Sequence, residues 1–172
     1  RKIKTKFRGV YLVKLDQFKD HRGFFTKIFS HSFFKKIINN EIREINYSYT
    51  KKKGTIRGFH YQTKPYEETK IIKCIEGKII DISIDLRKKS KTYLKLFKTE
   101  LRHNDNTCIV LPEGFAHGFQ ALTDNCRLIY LHTQIFNKNK YRVISPLDKK
   151  FKIEWPIKKY ILSKQDRYAK KL

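Results

Sequence analysis

The strongest constraint on the fold is a run of short segments in which apolar and polar residues alternate. Successive side chains of a β-strand point to opposite faces. Between Lys78 and Leu86 the aliphatic residues therefore share one face, while Asp81, Ser83 and Asp85 share the other. A strand with one aliphatic face and one acidic face fits a sheet whose two faces lie in different environments, one apolar and one polar. This pattern favours an all-β fold.

Similar segments recur along most of the chain at a spacing of roughly ten residues. The predicted strands are 10–15, 24–29, 55–61, 71–75, 78–86, 96–101, 107–111, 118–122 and 127–133. The Glu76–Gly77 pair predicts a β-hairpin between 71–75 and 78–86. Many short strands of this kind are typical of a sandwich or barrel, and a cupin-type jelly roll is the natural candidate.

One short helix is predicted near the N-terminus, with Ser30 or Ser32 as its cap and Asn39–Asn40 at its end. Its apolar stripe consists of Phe33, Phe34, Ile37 and Ile38. Beyond Tyr141 the alternation weakens, which predicts a helical or irregular tail folded back on the body. At 172 residues we expect a single domain over 1–172.

The chain carries 40 Lys and Arg against 16 Asp and Glu, a net charge of +24. Such a charge attracts polyanions, but the basic residues are spread from Arg1 to Lys171 with no basic helix. We therefore expect an anionic small substrate, such as a nucleotide-linked compound, and not nucleic acid as the main partner. No apolar run reaches the roughly 20 residues that span a bilayer. No membrane partner and a cytoplasmic location are expected.

The three cysteines, Cys74, Cys108 and Cys126, lie far apart in sequence and form no paired motif. They are predicted to be reduced, buried thiols on strands, with a catalytic cysteine as the alternative.

Two segments concentrate functional groups. In Arg57–Gln62, alternation predicts Arg57 on the face opposite to His60 and Gln62, with a single core or surface histidine as the alternative. In Pro112–Phe119, a tight turn delivers His117 into a strand. Cupin metal sites also need a pair of histidines on an earlier strand, and His60 is alone there. We therefore predict no metal.

Asp81 and Asp85 form a third candidate feature. Carboxylates that face a barrel interior need hydrogen-bond or ionic partners, and histidine, arginine and lysine side chains are available. The alternative is that this strand face is solvated, as is common in antiparallel sheets.

Taken in order, these segments resemble the dTDP-4-dehydrorhamnose 3,5-epimerase family of nucleotide-sugar 3,5-epimerases. The resemblance extends over nearly the whole chain and rests chiefly on the RGxHxQ motif at 57–62 and the PxGFAHGF motif at 112–119. Further matching segments are 20–25, 46–48, 54–56, 70–71, 77–87, 90–93, Tyr130, 153–156 and 162–166. The resemblance implies a cupin-type jelly roll, a homodimer, and neither a metal nor an organic cofactor. It also implies inversion at the two carbons beside the C4 ketone of a nucleotide-linked 4-keto-6-deoxyhexose.

The resemblance also implies roles for individual residues. His60 would be the base, Asp166 its partner, and Tyr130 the acid on the opposite face of the sugar ring. Lys70 and Arg57 would stabilise the enolate and the substrate. The remaining expected substrate-binding residues are Arg22, Phe25, Asn46, Gln62, Asp81 and His117.

Two positions depart from the family pattern. Lys27 occupies a place where an acidic residue is usual, and Ile135–Phe136 replaces a pair of tyrosines that stacks on thymine. The carrier nucleotide therefore stays open among dTDP, GDP, CDP and UDP. A mono-epimerase acting at C3 or C5 is an alternative, and a non-catalytic basic jelly roll that binds polyanions is a second one.

Overall fold

Thirteen short β-strands, two four-residue α-helices and two short 3-10 helices, His103–Asp105 and Lys149–Phe151, make up the fold of the computed structural model, which describes residues 1–172. The strands are β1 (Lys2–Lys4), β2 (Tyr11–Lys14), β3 (Gln17–Asp20), β4 (Gly23–Thr26), β5 (Glu44–Thr50), β6 (Ile56–Gln62), β7 (Lys70–Glu76), β8 (Lys78–Asp85), β9 (Leu96–Arg102), β10 (Thr107–Leu111), β11 (Phe115–Ala121), β12 (Cys126–His132) and β13 (Tyr141–Val143). The α-helices are α1 (His31–Phe34) and α2 (Lys164–Arg167).

The strands form two large antiparallel sheets and one separate hairpin. The six-stranded sheet has the order β1-β2-β10-β7-β12-β5, and the five-stranded sheet has the order β13-β6-β11-β8-β9. β3 and β4 pair only with each other. An apolar cluster of 14 buried residues joins the facing surfaces of the large sheets, for example Ile72 and Leu128 on one and Ile79 and Phe119 on the other. The chain is thus nearly all-β, an open jelly-roll barrel, as the strand pattern predicts.

Both sheets are also covered on their outer faces. Phe34 and Ile38, in and just after α1, pack on the six-stranded sheet. Phe151 and Trp155, from the C-terminal segment, pack on the outer isoleucines of β8. The Trp155 indole Nε1 donates to the Pro146 carbonyl at 3.0 Å. The predicted folded-back tail is confirmed, and it explains why β8 is buried on both faces.

The predicted hairpin between 71–75 and 78–86 is wrong. β7 pairs with β10 and β12 in one sheet, whereas β8 pairs with β11 and β9 in the other. The chain crosses between sheets at Gly77, where φ is +77°. A Cβ at this position would lie 2.6 Å from Thr123 Oγ1 and 2.8 Å from Cys126 Sγ. Alternation correctly assigns the two faces of β8, but it carries no information about which strands pair.

The predicted N-terminal helix is present but shorter than its apolar stripe. Regular α-helix ends at Phe34, and turns continue to Ile37. Ser30 is the N-cap residue, yet its side chain makes no capping hydrogen bond. No helix is long and apolar enough to cross a membrane.

The cysteine prediction is confirmed, since all three thiols are buried and unpaired. Burial raises the pKa of Cys74 and of Cys108 to about 12. Thiols with such pKa values are poor nucleophiles at neutral pH.

Candidate active site

A cavity of about 250 Å³ opens at the polar end of the barrel interior, between the two large sheets. Its lining residues are Glu44, Asn46, Tyr47, Ser48, Arg57, His60, Gln62, Glu68, Lys70, His117, Phe119, Tyr130, His132, Phe136 and Tyr141. Seven of the expected site residues are in this set: Asn46, Arg57, His60, Gln62, Lys70, His117 and Tyr130. Sequence positions from 44 to 141 therefore converge on one cavity.

His60 forms a hydrogen bond with Asp166, which lies 106 positions later in the sequence. His60 Nε2 and Asp166 Oδ1 are 2.7 Å apart, and the Asp166 side chain is buried. Asp166 lies in α2, where the Ser163 hydroxyl accepts from its backbone N–H at 3.0 Å. A carboxylate that accepts from Nε2–H leaves Nδ1 with a lone pair, because a neutral imidazole carries one proton. The pair therefore presents an oriented base to the cavity.

Arg57 lies on the cavity side of its strand, so its predicted position on the opposite face is wrong. Between the antiparallel strands β11 and β6, His117 lies opposite His60 and Phe119 lies opposite Arg57. Two steps along β11 thus match three along β6, so the register shifts between these positions. The shift is a bulge that inserts one extra residue into β6 at Gly58, where φ is +136°. A Cβ on Gly58 would lie 2.4 Å from the Cα of Gly118. Bulges re-aim side chains in this way, and periodicity alone does not detect them.

A second histidine–carboxylate pair lies beside the first. His117 Nε2 and Asp81 Oδ2 are 2.6 Å apart, and both side chains are buried. The reading of the acidic face of β8 as barrel interior is therefore correct, and the solvated alternative is wrong. His117 also packs edge-on against Tyr130, with ring centroids 5.9 Å apart.

Tyr130 approaches the cavity from the sheet opposite to His60. It lies on β12 of the six-stranded sheet, whereas His60 lies on β6 of the five-stranded sheet. Burial raises the pKa of the Tyr130 phenol. The hydroxyl therefore stays protonated at neutral pH and is available as a proton donor.

Lys70 is buried at the cavity wall with two partners. Its Nζ lies 3.2 Å from Glu68 Oε1 and donates to the His60 carbonyl at 3.3 Å. Glu68 Oε2 in turn lies 2.8 Å from His132 Nδ1. Sequence reasoning did not identify Glu68 or His132. The available signal was alternation, because His132 lies two residues after Tyr130 and so shares its face.

Gln62 lines the cavity, but its amide is engaged by the chain. It donates to the Tyr66 and Ile135 carbonyls at 3.1 and 3.2 Å and accepts from the Asn137 N–H at 2.7 Å. These bonds fix the segment that carries Phe136, which packs on Tyr141 with centroids 5.4 Å apart. Burial raises the pKa of Tyr141 to about 12.

Arg22 and Phe25 lie outside this cavity in a single copy of the chain. Both belong to the β3–β4 hairpin, where Phe25 is 63% exposed and Arg22 forms an exposed ion pair with Asp20 at 2.6 Å. The expected acidic position, Lys27, lines a separate pocket with Phe18 and Phe33. The hairpin thus carries expected substrate-binding residues away from the chain's own site.

No group of three or more His, Cys, Asp or Glu side chains is arranged to hold a metal ion. The three imidazoles of the cavity, His60, His117 and His132, are each committed to a separate carboxylate. The absence of a metal requirement stays a prediction.

Comparison with known proteins is consistent with this geometry. The family model described as dTDP-4-dehydrorhamnose 3,5-epimerase matches residues 4–172. A dTDP-4-dehydrorhamnose 3,5-epimerase from Shigella flexneri is 34% identical, over 95% of this chain and 91% of its own length.

Two solved structures of similar proteins superpose over almost the whole chain. The Bacillus anthracis dTDP-4-dehydrorhamnose 3,5-epimerase with TDP and PPi bound has a TM-score of 0.96 at 32% identity, covering 100% of this chain and 99% of its own. The Legionella pneumophila dTDP-6-deoxy-D-glucose-3,5-epimerase in complex with dTDP-4-keto-L-rhamnose has a TM-score of 0.94 at 27% identity, covering 99% and 92%. This chain belongs to the dTDP-4-dehydrorhamnose 3,5-epimerase family.

Proposed function

We propose that this chain inverts C3 and C5 of a nucleotide-diphosphate-linked 4-keto-6-deoxyhexose. The favoured reaction converts dTDP-4-dehydro-6-deoxyglucose to dTDP-4-dehydro-L-rhamnose, the type of reaction for which the relatives are named. One observation carries the proposal: His60, oriented by Asp166, and Tyr130 face a single cavity from opposite sheets. Inversion needs a base on one face of the sugar ring and an acid on the other.

The chemistry follows from the ketone at C4. Hydrogens on C3 and C5 are acidic because their removal yields an enolate at the C4 oxygen. His60 takes the proton, and the ammonium of Lys70 and the guanidinium of Arg57 stabilise the developing oxyanion. Tyr130 then protonates the same carbon from the opposite face. Proton exchange with solvent then returns His60 to its neutral form and Tyr130 to its protonated form. A repeat of the cycle at the other carbon completes the double inversion, with no net change in atoms or electrons.

The test is exchange of substrate hydrogen with solvent. Wild-type protein is incubated in heavy water with 4-keto-6-deoxyhexoses linked to dTDP, CDP, GDP and UDP, and proton NMR follows C3 and C5. We expect deuterium at both carbons and inversion of both, fastest with dTDP. Exchange at one carbon alone would identify a mono-epimerase. No exchange with any carrier would refute the proposal and favour a polyanion-binding jelly roll.

We also propose that the chain is a homodimer in which the β3–β4 hairpin of one copy reaches the other. Phe18, Phe24 and Phe25 on this hairpin are 66%, 58% and 63% exposed. At the edge of the six-stranded sheet, β5 exposes Ile45 and Tyr47 and has no partner on its outer side. Exposed aromatics and open strand edges are common at interfaces. A dimer would bury both, and it would return Arg22 and Phe25 to a substrate cavity.

Subunit mixing tests this arrangement. Arg22→Ala and His60→Ala are each expected to have low activity alone. If Arg22 serves the partner's cavity, the mixed dimer regains one complete site, and activity rises toward a quarter of the wild-type value on statistical mixing. No recovery in a mixture that sedimentation shows to be dimeric would place Arg22 in its own subunit's site. A monomer at micromolar concentration would refute the dimer.

A further inference from the structure

A third histidine–carboxylate pair lines the cavity and has no part in the proposed reaction. His132, the last residue of β12, lies directly opposite Lys70, the first residue of β7, in the antiparallel register. Directly opposed residues share a face, with Cβ atoms about 5 Å apart. Glu68 bridges the two through separate oxygens, Oε1 at 3.2 Å from Lys70 Nζ and Oε2 at 2.8 Å from His132 Nδ1.

Glu68 is an ionised acceptor in this arrangement. Burial alone would raise the pKa of Glu68, but the hydrogen bond from His132 and the positive charge of Lys70 outweigh it and lower the pKa below its usual value. All three side chains are nearly buried, at 9% exposed for Glu68 and Lys70 and 12% for His132. A carboxylate has no proton to donate, so His132 Nδ1 carries the hydrogen of the 2.8 Å contact.

The opposite ring nitrogen is therefore the chemically available one. In the neutral imidazole a proton on Nδ1 leaves a lone pair on Nε2. Nε2 has no hydrogen-bond partner in the protein. It also keeps some accessible surface, because Ser48 Oγ is the sole polar side-chain atom that is both fully buried and unpartnered. His60 and His117 use the reverse arrangement, with Nε2 on the carboxylate. His132 thus offers a fixed acceptor to the cavity, beside the stacked ring of Tyr130.

We propose that His132 binds the sugar, with Nε2 accepting a hydrogen bond from a hexose hydroxyl, and that Glu68 is the positioning residue that fixes its tautomer. A hydroxyl donates a hydrogen to a lone pair, whereas ionised phosphate oxygens only accept, so the ligand group is not on the diphosphate. Comparison of dTDP with dTDP-glucose separates the hexose hydroxyls from the donors of the nucleoside. The inference rests on the proposed function, because it requires a nucleotide sugar in this cavity.

Two substitutions separate the two nitrogens of His132. In His132→Asn the amide N–H replaces Nδ1–H and keeps the contact to Glu68 but leaves nothing at the Nε2 position. In His132→Gln the longer amide places an oxygen near the Nε2 position and loses the Glu68 contact. We expect His132→Asn to lower kcat/KM about 10-fold, as for one lost hydrogen bond, and His132→Gln to retain more activity. Equal losses in both, together with a lower Tm, would assign a structural role and overturn the inference.

The tautomer is measured separately, without turnover. In ¹⁵N NMR of the wild type, His132 should carry its proton on Nδ1, and Glu68→Gln, whose amide can donate to Nδ1, should move it to Nε2. The Nε2 signal should shift with dTDP-glucose, which has the hydroxyls but no ketone, and stay in place with dTDP. An unchanged tautomer in Glu68→Gln, or identical responses to the two ligands, would overturn the inference. Loss of the proposed function would appear differently, as wild-type protein that exchanges no hydrogen.

Discussion

Asp81 and Asp85 lie on the same face of the same strand, four residues apart, and both are completely buried. Their partners nevertheless differ. Asp81 contacts the imidazole of His117 at the cavity end. Asp85 accepts five hydrogen bonds at the other end, three from Arg87 and one each from the hydroxyls of Ser90 and Thr92. Burial and strand face are identical, so neither distinguishes a residue of the site from a residue of the scaffold.

The partners do distinguish them. The partners of Asp85 do not change their protonation state in the physiological pH range, since Arg87 stays charged and the two hydroxyls stay neutral. Arg87 also donates to the Arg8 carbonyl at 2.9 Å, which ties the N-terminal segment to the barrel. At the cavity end, carboxylates contact imidazoles that also face open space. We therefore expect changes at the cavity end to reduce turnover and spare stability, and changes at the Asp85 end to do the reverse.

The largest effect is expected for His60→Ala. Removing a positioned general base should lower the rate of hydrogen exchange at C3 and C5 by roughly 10²- to 10⁴-fold. The His60 side chain is 29% exposed and belongs to none of the apolar clusters, so Tm should change by a few degrees at most. The exposed His31→Ala variant serves as the control. Near-normal exchange in His60→Ala would remove this residue from the base position.

Tyr130→Phe should separate exchange from inversion. The variant keeps the ring and loses only the hydroxyl, so His60 should still remove substrate protons and return them to the original face. Net inversion should fall about 100-fold, while exchange falls much less. Proton NMR in heavy water measures both in one sample, with the exposed Tyr93→Phe as control. An unchanged ratio of inversion to exchange would make Tyr130 a packing residue.

Asp85→Asn probes the other end of the strand. The change removes the charge from five hydrogen bonds and should lower the free energy of unfolding by about 2 kcal/mol, with kcat unchanged in the folded fraction. Asp81→Asn is the matched variant on the same strand face. It should lower kcat more than Asp85→Asn does, and it should lower the free energy of unfolding less. Urea unfolding and steady-state kinetics on both proteins make the comparison. If both variants lost the same free energy of unfolding and had the same kcat, the proposed difference between the two ends of the strand would be contradicted.

Asp166→Asn should have a smaller effect on turnover than loss of His60. The base remains, but its orienting carboxylate becomes a neutral amide, and kcat should fall about 10-fold with KM nearly constant. The Ser163 cap uses the backbone N–H of residue 166 and is retained. A rise in KM with unchanged kcat would indicate that Asp166 acts on substrate binding and does not orient the base.

The two ends of β8 also show which features of the fold and the site can be predicted from the sequence. Alternation correctly placed Asp81 and Asp85 together on the face opposite to the aliphatic residues, because a period of two follows from strand geometry alone, but it left open whether that face is interior or solvated. The family motifs brought His60, Tyr130 and Asp166 together, although no local rule joins β6 to α2. Sequence patterns did not reveal that β7 and β8 belong to different sheets, since pairing depends on long-range packing.

Two further features escaped prediction for physical reasons. The bulge at Gly58 turns Arg57 toward the cavity, and its cause is the close approach of another backbone at Gly118. Glu68 and His132 belong to no motif, and their contact joins residues 64 positions apart. The hairpin with Arg22 and Phe25 is a separate case. Its proposed role lies in a second copy of the chain, and its sequence shows only that it is rich in aromatic residues, not that they are exposed.

The smallest expected effect is a pH dependence specific to the Asp85 end. Burial opposes ionisation of Asp85, but its hydrogen bonds from Arg87, Thr92 and Ser90 prevail and lower its pKa from 3.8 to about 2. A carboxylate with a depressed pKa in the folded state stabilises the protein fully above pH 3.8, and this contribution is lost as the pH falls toward 2. Between pH 5 and pH 3 the loss from this residue should be about 1 kcal/mol.

The comparison of wild type with Asp85→Asn isolates this contribution from general acid effects. The difference in free energy of unfolding between the two proteins should be constant from pH 7 to pH 5 and should narrow by about 1 kcal/mol on reaching pH 3. Asp81→Asn, measured in the same way, is the reference for the cavity end of the strand. A wild-type to Asp85→Asn difference that stays constant down to pH 3 would show that the stability of this corner comes from packing and not from the ionised carboxylate.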